Sequence, residues 1–237
     1  AYIAAADIDG DGLADLKREV ELLNRKCSIH VLDVSSREQM ESLPQQVLAA
    51  HGAVHILVNN AGVSVNLSFR EQEVEDLEWI TGINYWGVMY GCKFFLPLLL
   101  EAEEAHIVNI SSSAGFTGMK WQSSYAATKF AVTGLSESLF VELANTNVGI
   151  TCVHPGAVAT NILDAARMEQ GRREKLLKTF KYATPPAHAA RAICKAITRK
   201  RFKLVLCVDS RILYFVKRLA PVGILKLMRL ANSGTGS

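Results

Sequence analysis

Short apolar runs alternate along this chain with longer stretches in which apolar positions recur every three or four residues. Ala1–Asp7 reads as a strand that ends in an acid, and Gly10-Asp-Gly12 marks a turn before a helix near Leu13–Arg25. Ser28–Asp33 is the next strand. Ser35 suits the N-cap of a helix running to His51, with Pro44 as an irregularity inside it. Val54–Asn59 is a strand, and a long helix covers Val74–Leu100. Then come a strand at Ala105–Ser112, a helix at Ser123–Ala144 and a strand at Gly149–His154. A charged helical stretch spans Asn161–Tyr182, a helix runs from Pro185-Pro186 to Arg199, and Phe202–Val208 is a last strand. Strands alternating with helices predict parallel βαβ units, hence an α/β fold with a doubly wound parallel sheet over residues 1–208. Residues 209–237 form a basic, apolar extension. It holds two helical segments, Arg211–Ala220 and Val222–Leu230, broken at Pro221, and Gly234–Ser237 reads as disordered.

Composition narrows the class. The chain has 237 residues, 49% of them hydrophobic, and a net charge of +3. That length fits one domain with a sizeable core. Acids and bases are mixed along most of it, which gives no footprint for nucleic acid. Five cysteines (Cys27, Cys92, Cys152, Cys194, Cys207) are odd in number and scattered. Several fall in apolar runs, so buried free thiols in a reducing, cytoplasmic compartment are expected. No apolar stretch reaches the ~18–20 residues of a membrane span. His51 and His55 are four apart, but Gly52 between them argues against a helical metal pair, and no metal site is expected.

The candidate chemistry centres on Tyr125-Ala-Ala-Thr-Lys129. A phenol and an ammonium at i and i+4 share one helix face. The cation is expected to pull the phenol below its usual ~10, into the range of a general acid/base. Ser112 ends a buried apolar run thirteen residues earlier. Strand alternation sends Ser111 and Ser113 to the other face, so Ser112 is the serine expected to hold the same substrate oxygen. Asn59-Asn-Ala-Gly62 follows a strand with small residues that let a ligand approach the backbone.

These pieces, with Asn84-Tyr-Trp-Gly87, Asn109-Ile-Ser-Ser-Ser-Ala-Gly115 and His154-Pro-Gly156, resemble the short-chain dehydrogenase/reductase family in order and spacing. The resemblance runs from Ala1 to about Arg201. It implies a Rossmann-type sheet and a catalytic group of Asn84, Ser112, Tyr125 and Lys129. Ser112 polarises the substrate oxygen, Tyr125 exchanges the proton, and Lys129 tunes Tyr125 and binds the nicotinamide ribose. The backbone carbonyl of Asn84 holds a water between Lys129 and solvent. It also implies cofactor contacts from Asp7, Asp33, Val34, Asn60, Ala61, Gly62, Tyr125, Lys129, Pro155, Gly156, Val158 and Thr160. Asp7 would bond the adenosine ribose and repel a 2′-phosphate, which favours NAD over NADP. Asp33 and Val34 would meet the adenine, and Val158 and Thr160 the carboxamide. His154 is read as a packed strand-end residue rather than a proton carrier. The family places a strand, a T-G-x-x-x-G-x-G turn and a helix ahead of the first strand seen here. The reading is therefore of a chain truncated before the second strand, its sheet split by the gap.

The implied activity is NAD(P)(H)-dependent interconversion of an alcohol and a ketone or aldehyde. The alternative is a non-catalytic dinucleotide-binding or scaffolding pseudoenzyme. Residues 157–182 fall where the family carries a substrate lid. Leu163, Met168, Leu176, Leu177 and Phe180 give it an apolar face, while Arg167, Arg172, Arg173 and Lys175 read as solvated. Phe116, Met119 and Trp121 also favour a bulky hydrophobic substrate. Three roles compete for the tail: covering a pocket, packing on the core, or peripheral membrane contact through 211–230. The first two are favoured over the third. Trp79, Tyr85, Trp86, Met89, Tyr90 and Phe94 on one helix, with Phe130, Leu135, Leu139 and Phe140 on another, predict a homodimer or homotetramer interface.

Overall fold

The structure, a computed structural model, describes residues 1–180 and 183–233. The chain runs β1 (Ile3–Asp7), α1 (Gly10–Leu22), β2 (Cys27–Val31), α2 (Arg37–His51), β3 (Ile56–Asn59), β4 (Val65–Asn66) and α3 (Val74–Thr81). A π turn at Gly82–Trp86 leads into α4 (Gly87–Glu101), then β5 (Ala105–Ile110), a 3-10 turn at Ser113–Gly115, α5 (Ser123–Glu142) and β6 (Val148–His154). A second 3-10 turn, Asn161–Leu163, precedes β7 (Arg167–Met168), α6 (Gln170–Phe180), α7 (Pro186–Thr198), β8 (Lys203–Val205), α8 (Val208–Leu219) and α9 (Gly223–Ser233).

All described ladders are parallel. β1 pairs with β2, and a larger sheet has the order β3-β5-β6-β8. Among the described residues no ladder joins the two, and Ile56 and Val58 of β3 stand half exposed. Alternation along β5 and β6 feeds two cores. Ile107 and Ile150 pack with α2, α4 and α5 through Met40, Val47, Val88, Phe95, Leu99 and Val132. Val108 and Val153 face the other way, onto Ala189 and Ala196 of α7. Helices thus cover both faces of the sheet, as a doubly wound fold requires. Met40, Leu43 and Val47 of α2 also pack with Leu32 just beyond β2, so α2 ties the small sheet to the large one.

Several boundaries differ from expectation for identifiable reasons. Ser36, not Ser35, caps α2, because Ser35 turns its hydroxyl onto Asp33 at 2.8 Å. Pro44 sits within α2 without ending it, and the helix stops at Gly52, whose φ of 79° is the left-handed conformation that favours glycine. The long helix is interrupted by the π turn. The stretch expected as one helix from Asn161 is a 3-10 turn, a two-residue strand and α6; its expected end at Tyr182 lies outside the described residues, as does Gly234–Ser237. The last strand is shorter than Phe202–Val208, because Cys207 adopts φ 69° and Val208 already opens α8. All five cysteines are free; Cys27, Cys92 and Cys152 are buried, Cys207 is half-buried and Cys194 is exposed.

Candidate active site

Parallel strands carry their carboxyl ends to one edge of the sheet, and the candidate residues gather there. Ser112 follows β5, and Tyr125 and Lys129 lie in the first two turns of α5. Ser111 helps to fix α5 against the end of β5. The Ser111 hydroxyl donates to the Lys129 carbonyl at 2.9 Å and pairs with Thr133 at 3.0 Å. Gly115 permits the approach: a Cβ there would lie 2.8 Å from the Lys129 carbonyl oxygen and 2.2 Å from Ser111 Oγ. Ser111 is thus a structural clamp beside Ser112.

Asn84 is fully buried in the π turn. Its Oδ1 accepts from the Val63 N–H at 2.8 Å, and its Nδ2 donates to the Val63 carbonyl at 2.9 Å and to Thr128 at 3.3 Å. The widened turn, closed by Gly87 N–H to the Gly82 carbonyl, aims this side chain inward. Asn84 therefore staples the loop after β3 to α5. Asn59 bridges to Asn109 at 2.8 Å, and Asn109 continues to Ser136 at 3.1 Å, which locks β3, β5 and α5 together.

Electrostatics here depart from expectation. Lys129 is 4% exposed, and its ammonium donates to the Ile110 carbonyl at 3.0 Å. Burial strips its hydration and pulls it down to about 8. Nζ lies 5.7 Å from the centre of the Tyr125 ring. Tyr125 is not lowered: loss of solvent around the phenolate raises it, and Ser112 only partly opposes this. The sequence expectation counted the nearby cation and left out desolvation, which dominates both groups.

Of the remaining expected residues, Asp7 is exposed at the end of β1, its Oδ1 accepting from Asp9 N–H at 3.1 Å. Asp33 is exposed and accepts from Ser35. Val34 leans on Gly87, where a Cβ would sit 2.9 Å from it. Asn60 is exposed, and Ala61 and Gly62 are half-buried. A Cβ on Gly62 would lie 3.3 Å from Asn84 Oδ1 and 3.4 Å from Lys129 Nζ, so the backbone of Gly62 runs close beside the ammonium. The Pro155 carbonyl accepts from Ser113 N–H at 2.8 Å, which holds the segment of Pro155, Gly156, Val158 and Thr160 beside the serines. Val158 bridges to Thr184, and Thr160 is exposed.

The segment after Gly156 is tied to the site's rim. β7 pairs with β4, Gln122 donates to Asn66 at 2.7 Å, and Gln72 reaches Ser123 at 3.1 Å. Leu163 is buried, whereas Leu177 is half exposed. Arg172, expected to be solvated, instead stacks on Trp121 at 3.9 Å and donates to the Asn66 carbonyl at 2.5 Å. Arg167 is exposed, as expected, and also stacks on Trp79 at 4.0 Å and pairs with Asp76 at 2.6 Å. A planar guanidinium favours this combination of stacking and hydrogen bonding.

His154 is packed at the strand end, as expected, and it also braces the site. It is fully buried; Nδ1 lies 3.0 Å from the Ser112 carbonyl and Nε2 3.4 Å from Cys152 Sγ. Because the carbonyl can only accept, Nδ1 carries the proton and Nε2 is left to accept from the thiol. The imidazole thus holds the backbone of Ser112, with Phe116 packed on it at 5.5 Å. The signal available was its place between a strand and Pro155.

Burial pulls His154 down to about 4, so it stays neutral near neutral pH. A histidine lowered on folding takes up its proton in the unfolded chain first. Between the ordinary ~6.5 and about 4 the unfolded state therefore binds more protons, and stability falls as pH falls through that window. His154→Asn, which keeps a donor for Ser112, should remove this component. The wild-type unfolding free energy should drop relative to the variant by roughly 2–3 kcal/mol across that window. Urea unfolding at a series of pH values measures it; parallel curves would show that His154 does not carry the effect.

Comparison with known proteins follows the same outline. Residues 1–171 match the short chain dehydrogenase family. The candidate oxidoreductase SadH of Mycobacterium tuberculosis is 35% identical over 217 residues, covering 89% of this chain and 79% of that protein. The 3-oxoacyl-[acyl-carrier-protein] reductase FabG of Thermotoga maritima is 30% identical over 177 residues, covering 75% and 71%. A short chain dehydrogenase/reductase from Burkholderia phymatum, crystallised with NAD, superimposes with a TM-score of 0.82 at 30% identity, covering 86% of this chain and 79% of that one. With the sheet, the staple at Asn84 and the Ser112–Tyr125–Lys129 cluster in one place, the chain belongs to the short chain dehydrogenase family.

Proposed function

We propose that this oxidoreductase interconverts a hydrophobic secondary alcohol and its ketone, or an alcohol and its aldehyde, with NAD(H) favoured over NADP(H). The observation that carries the proposal is the convergence of Ser112, Tyr125 and Lys129 at the carboxyl edge of the sheet, with the backbone of Gly62 close beside the ammonium. Such crevices are where doubly wound sheets hold dinucleotides. The residues present suit one. Lys129 is a buried cation that would gain acceptors from the hydroxyls of a ribose, and Asp7 stands exposed at a strand end as a ribose-binding acid would. The relative crystallised with NAD supports the same class of cofactor. When bound, the nicotinamide supplies the hydride chemistry.

The chain's own groups manage the proton. In the oxidative direction Ser112 Oγ donates to the substrate oxygen and orients it, and Tyr125 Oη takes the hydroxyl proton. In reduction Tyr125 returns that proton to the forming alkoxide. Lys129 holds positive charge near the phenol and favours its ionised form once further acceptors secure that charge. The backbone carbonyl of Asn84 is assigned the water that links Lys129 to solvent. Phe116, Met119 and Trp121 supply apolar contact for the substrate, and residues 157–180 cover it. The non-catalytic alternative predicts that replacing Tyr125 leaves the protein's behaviour unchanged.

A homodimer or larger homo-oligomer through α4 and α5 forms part of the same proposal. Trp86, Phe130 and Phe140 are exposed, and Trp86, Tyr90 and Phe94 stack at 5.6 and 5.8 Å along one helix face. Among the described residues of the extension, α8 packs on β8 and the 3-10 turn after Ser112, and Trp86, Phe130 and Phe140 stay exposed. A monomer mass by light scattering at micromolar concentration would contradict it.

Turnover tests the chemistry. Tyr125→Phe should lower kcat by about 10²-fold or more while NAD(H) binding, read by fluorescence titration, stays within a few-fold. Activity near the wild-type level would remove Tyr125 from the mechanism. In the same assay Asp7→Ala should shift the ratio of kcat/KM for NAD over NADP toward NADP, because it deletes both a ribose hydrogen bond and a repulsion of the 2′-phosphate. An unchanged ratio would place cofactor choice elsewhere.

A further inference from the structure

Helix α8 has two apolar sides, and among the described residues one is covered and the other is exposed. On its inner side, Tyr214 meets Phe116 edge-on at 5.3 Å, and Ser210 is buried against Gly156, where a Cβ would fall 2.4 Å from its hydroxyl. The outer side carries Val208, Ile212, Phe215, Val216 and Leu219. Their spacing of i, i+4, i+7, i+8 and i+11 forms one continuous stripe. Val208 is 71% exposed, Phe215 63% and Leu219 85%. Helix α9 also exposes Leu227 and Leu230, at 62% and 70%. An apolar stripe of this kind on a water-facing helix marks an interaction site.

Charge identifies the occupant. Residues 209–237 carry five cations, Arg211, Lys217, Arg218, Lys226 and Arg229, against one carboxylate, Asp209. Arg211 and Arg218, seven apart, flank the stripe of α8, and the exposed Lys226 and Arg229 lie beside Leu227 and Leu230 on α9. A leucine- and phenylalanine-rich face with a cationic margin suits the boundary of an anionic bilayer, where acyl chains take the apolar side chains and phosphates the cations. A second copy of the chain is the poorer partner, because a two-fold axis would set this cationic surface against itself. Among the described residues no helix is long and apolar enough to cross a membrane, so contact would lie in the plane of the interface.

We infer that α8 and α9 form an interfacial anchor that seats this chain on an anionic lipid surface. The anchor does not depend on the chemistry of the catalytic site. It does set that site near the lipid, because the inner side of α8 packs on Phe116 and Gly156.

Flotation of the full chain with lipid vesicles tests the anchor. Vesicles holding about 30% phosphatidylserine should carry the protein upward with a partition coefficient at least ~10-fold above that for pure phosphatidylcholine. Phe215→Ser with Leu219→Ser should cut partitioning to the anionic vesicles by about tenfold or more, with the circular dichroism spectrum unchanged. Arg218→Gln with Lys226→Gln should weaken anionic binding and flatten its dependence on salt. It serves as the deciding variant if the serine pair disturbs the fold. Failure of the wild-type chain to float with anionic vesicles would overturn the inference, as would equal flotation of all variants. So would a dimer that the serine pair converts to monomer without any vesicle binding, since a second copy would then be the occupant.

Discussion

The burial of the Lys129 ammonium at the end of β5 is the constraint on which the site depends. A cation almost out of water is costly unless its donors find partners, and among the described residues the Ile110 carbonyl accepts from it at 3.0 Å. The surrounding structure holds it there. Ser111 and Gly115 bring α5 against β5, Asn84 ties α5 to the loop after β3, and Asn59 and Asn109 fix the strands beneath. The fold thus positions a charge in an environment that disfavours it, and the ammonium responds with a value pulled down to about 8. Strain of this kind is the usual companion of a functional site.

That constraint changes how the tyrosine is understood. The i, i+4 spacing brings the phenol and the ammonium to one helix face, but proximity alone does not lower the phenol. Burial acts on both groups and raises Tyr125. A poised acid/base pair therefore requires that something secure the positive charge on Lys129. In the proposed function this comes from ligand hydroxyls. The free protein is then a holder of the pair rather than its finished form, and assembly of the site is coupled to binding.

Much of this was legible in the sequence, and the parts that were not share a physical cause. Strands of β5 and β6 type are continuous apolar runs buried on both faces, so His106–Ile110 and Gly149–His154 stand out. Ser112, Tyr125 and Lys129 were recognisable from spacing and from the motifs around them. The π turn at Gly82–Trp86 was hidden, because it arises from Asn84 bonding to Val63, a tertiary contact without local periodicity. Arg172 looked solvated because its partner Trp121 is remote in sequence. The sign of the Tyr125 shift depends on depth of burial, which no spacing reports. The outer stripe of α8 was visible as an apolar pattern, but its direction away from the core appears only when Tyr214 is seen against Phe116.

Direct titration of the two groups is the decisive measurement. Selective ¹³C labelling of lysine and tyrosine, with Lys129 and Tyr125 assigned by substitution, would follow each by NMR in the cofactor-free protein. Lys129 should lose its proton near pH 8, and Tyr125 should titrate above the ordinary ~10. Lys129 titrating at its ordinary ~10.4, with Tyr125 at or below ~10, would show a solvated or already compensated ammonium and contradict the account.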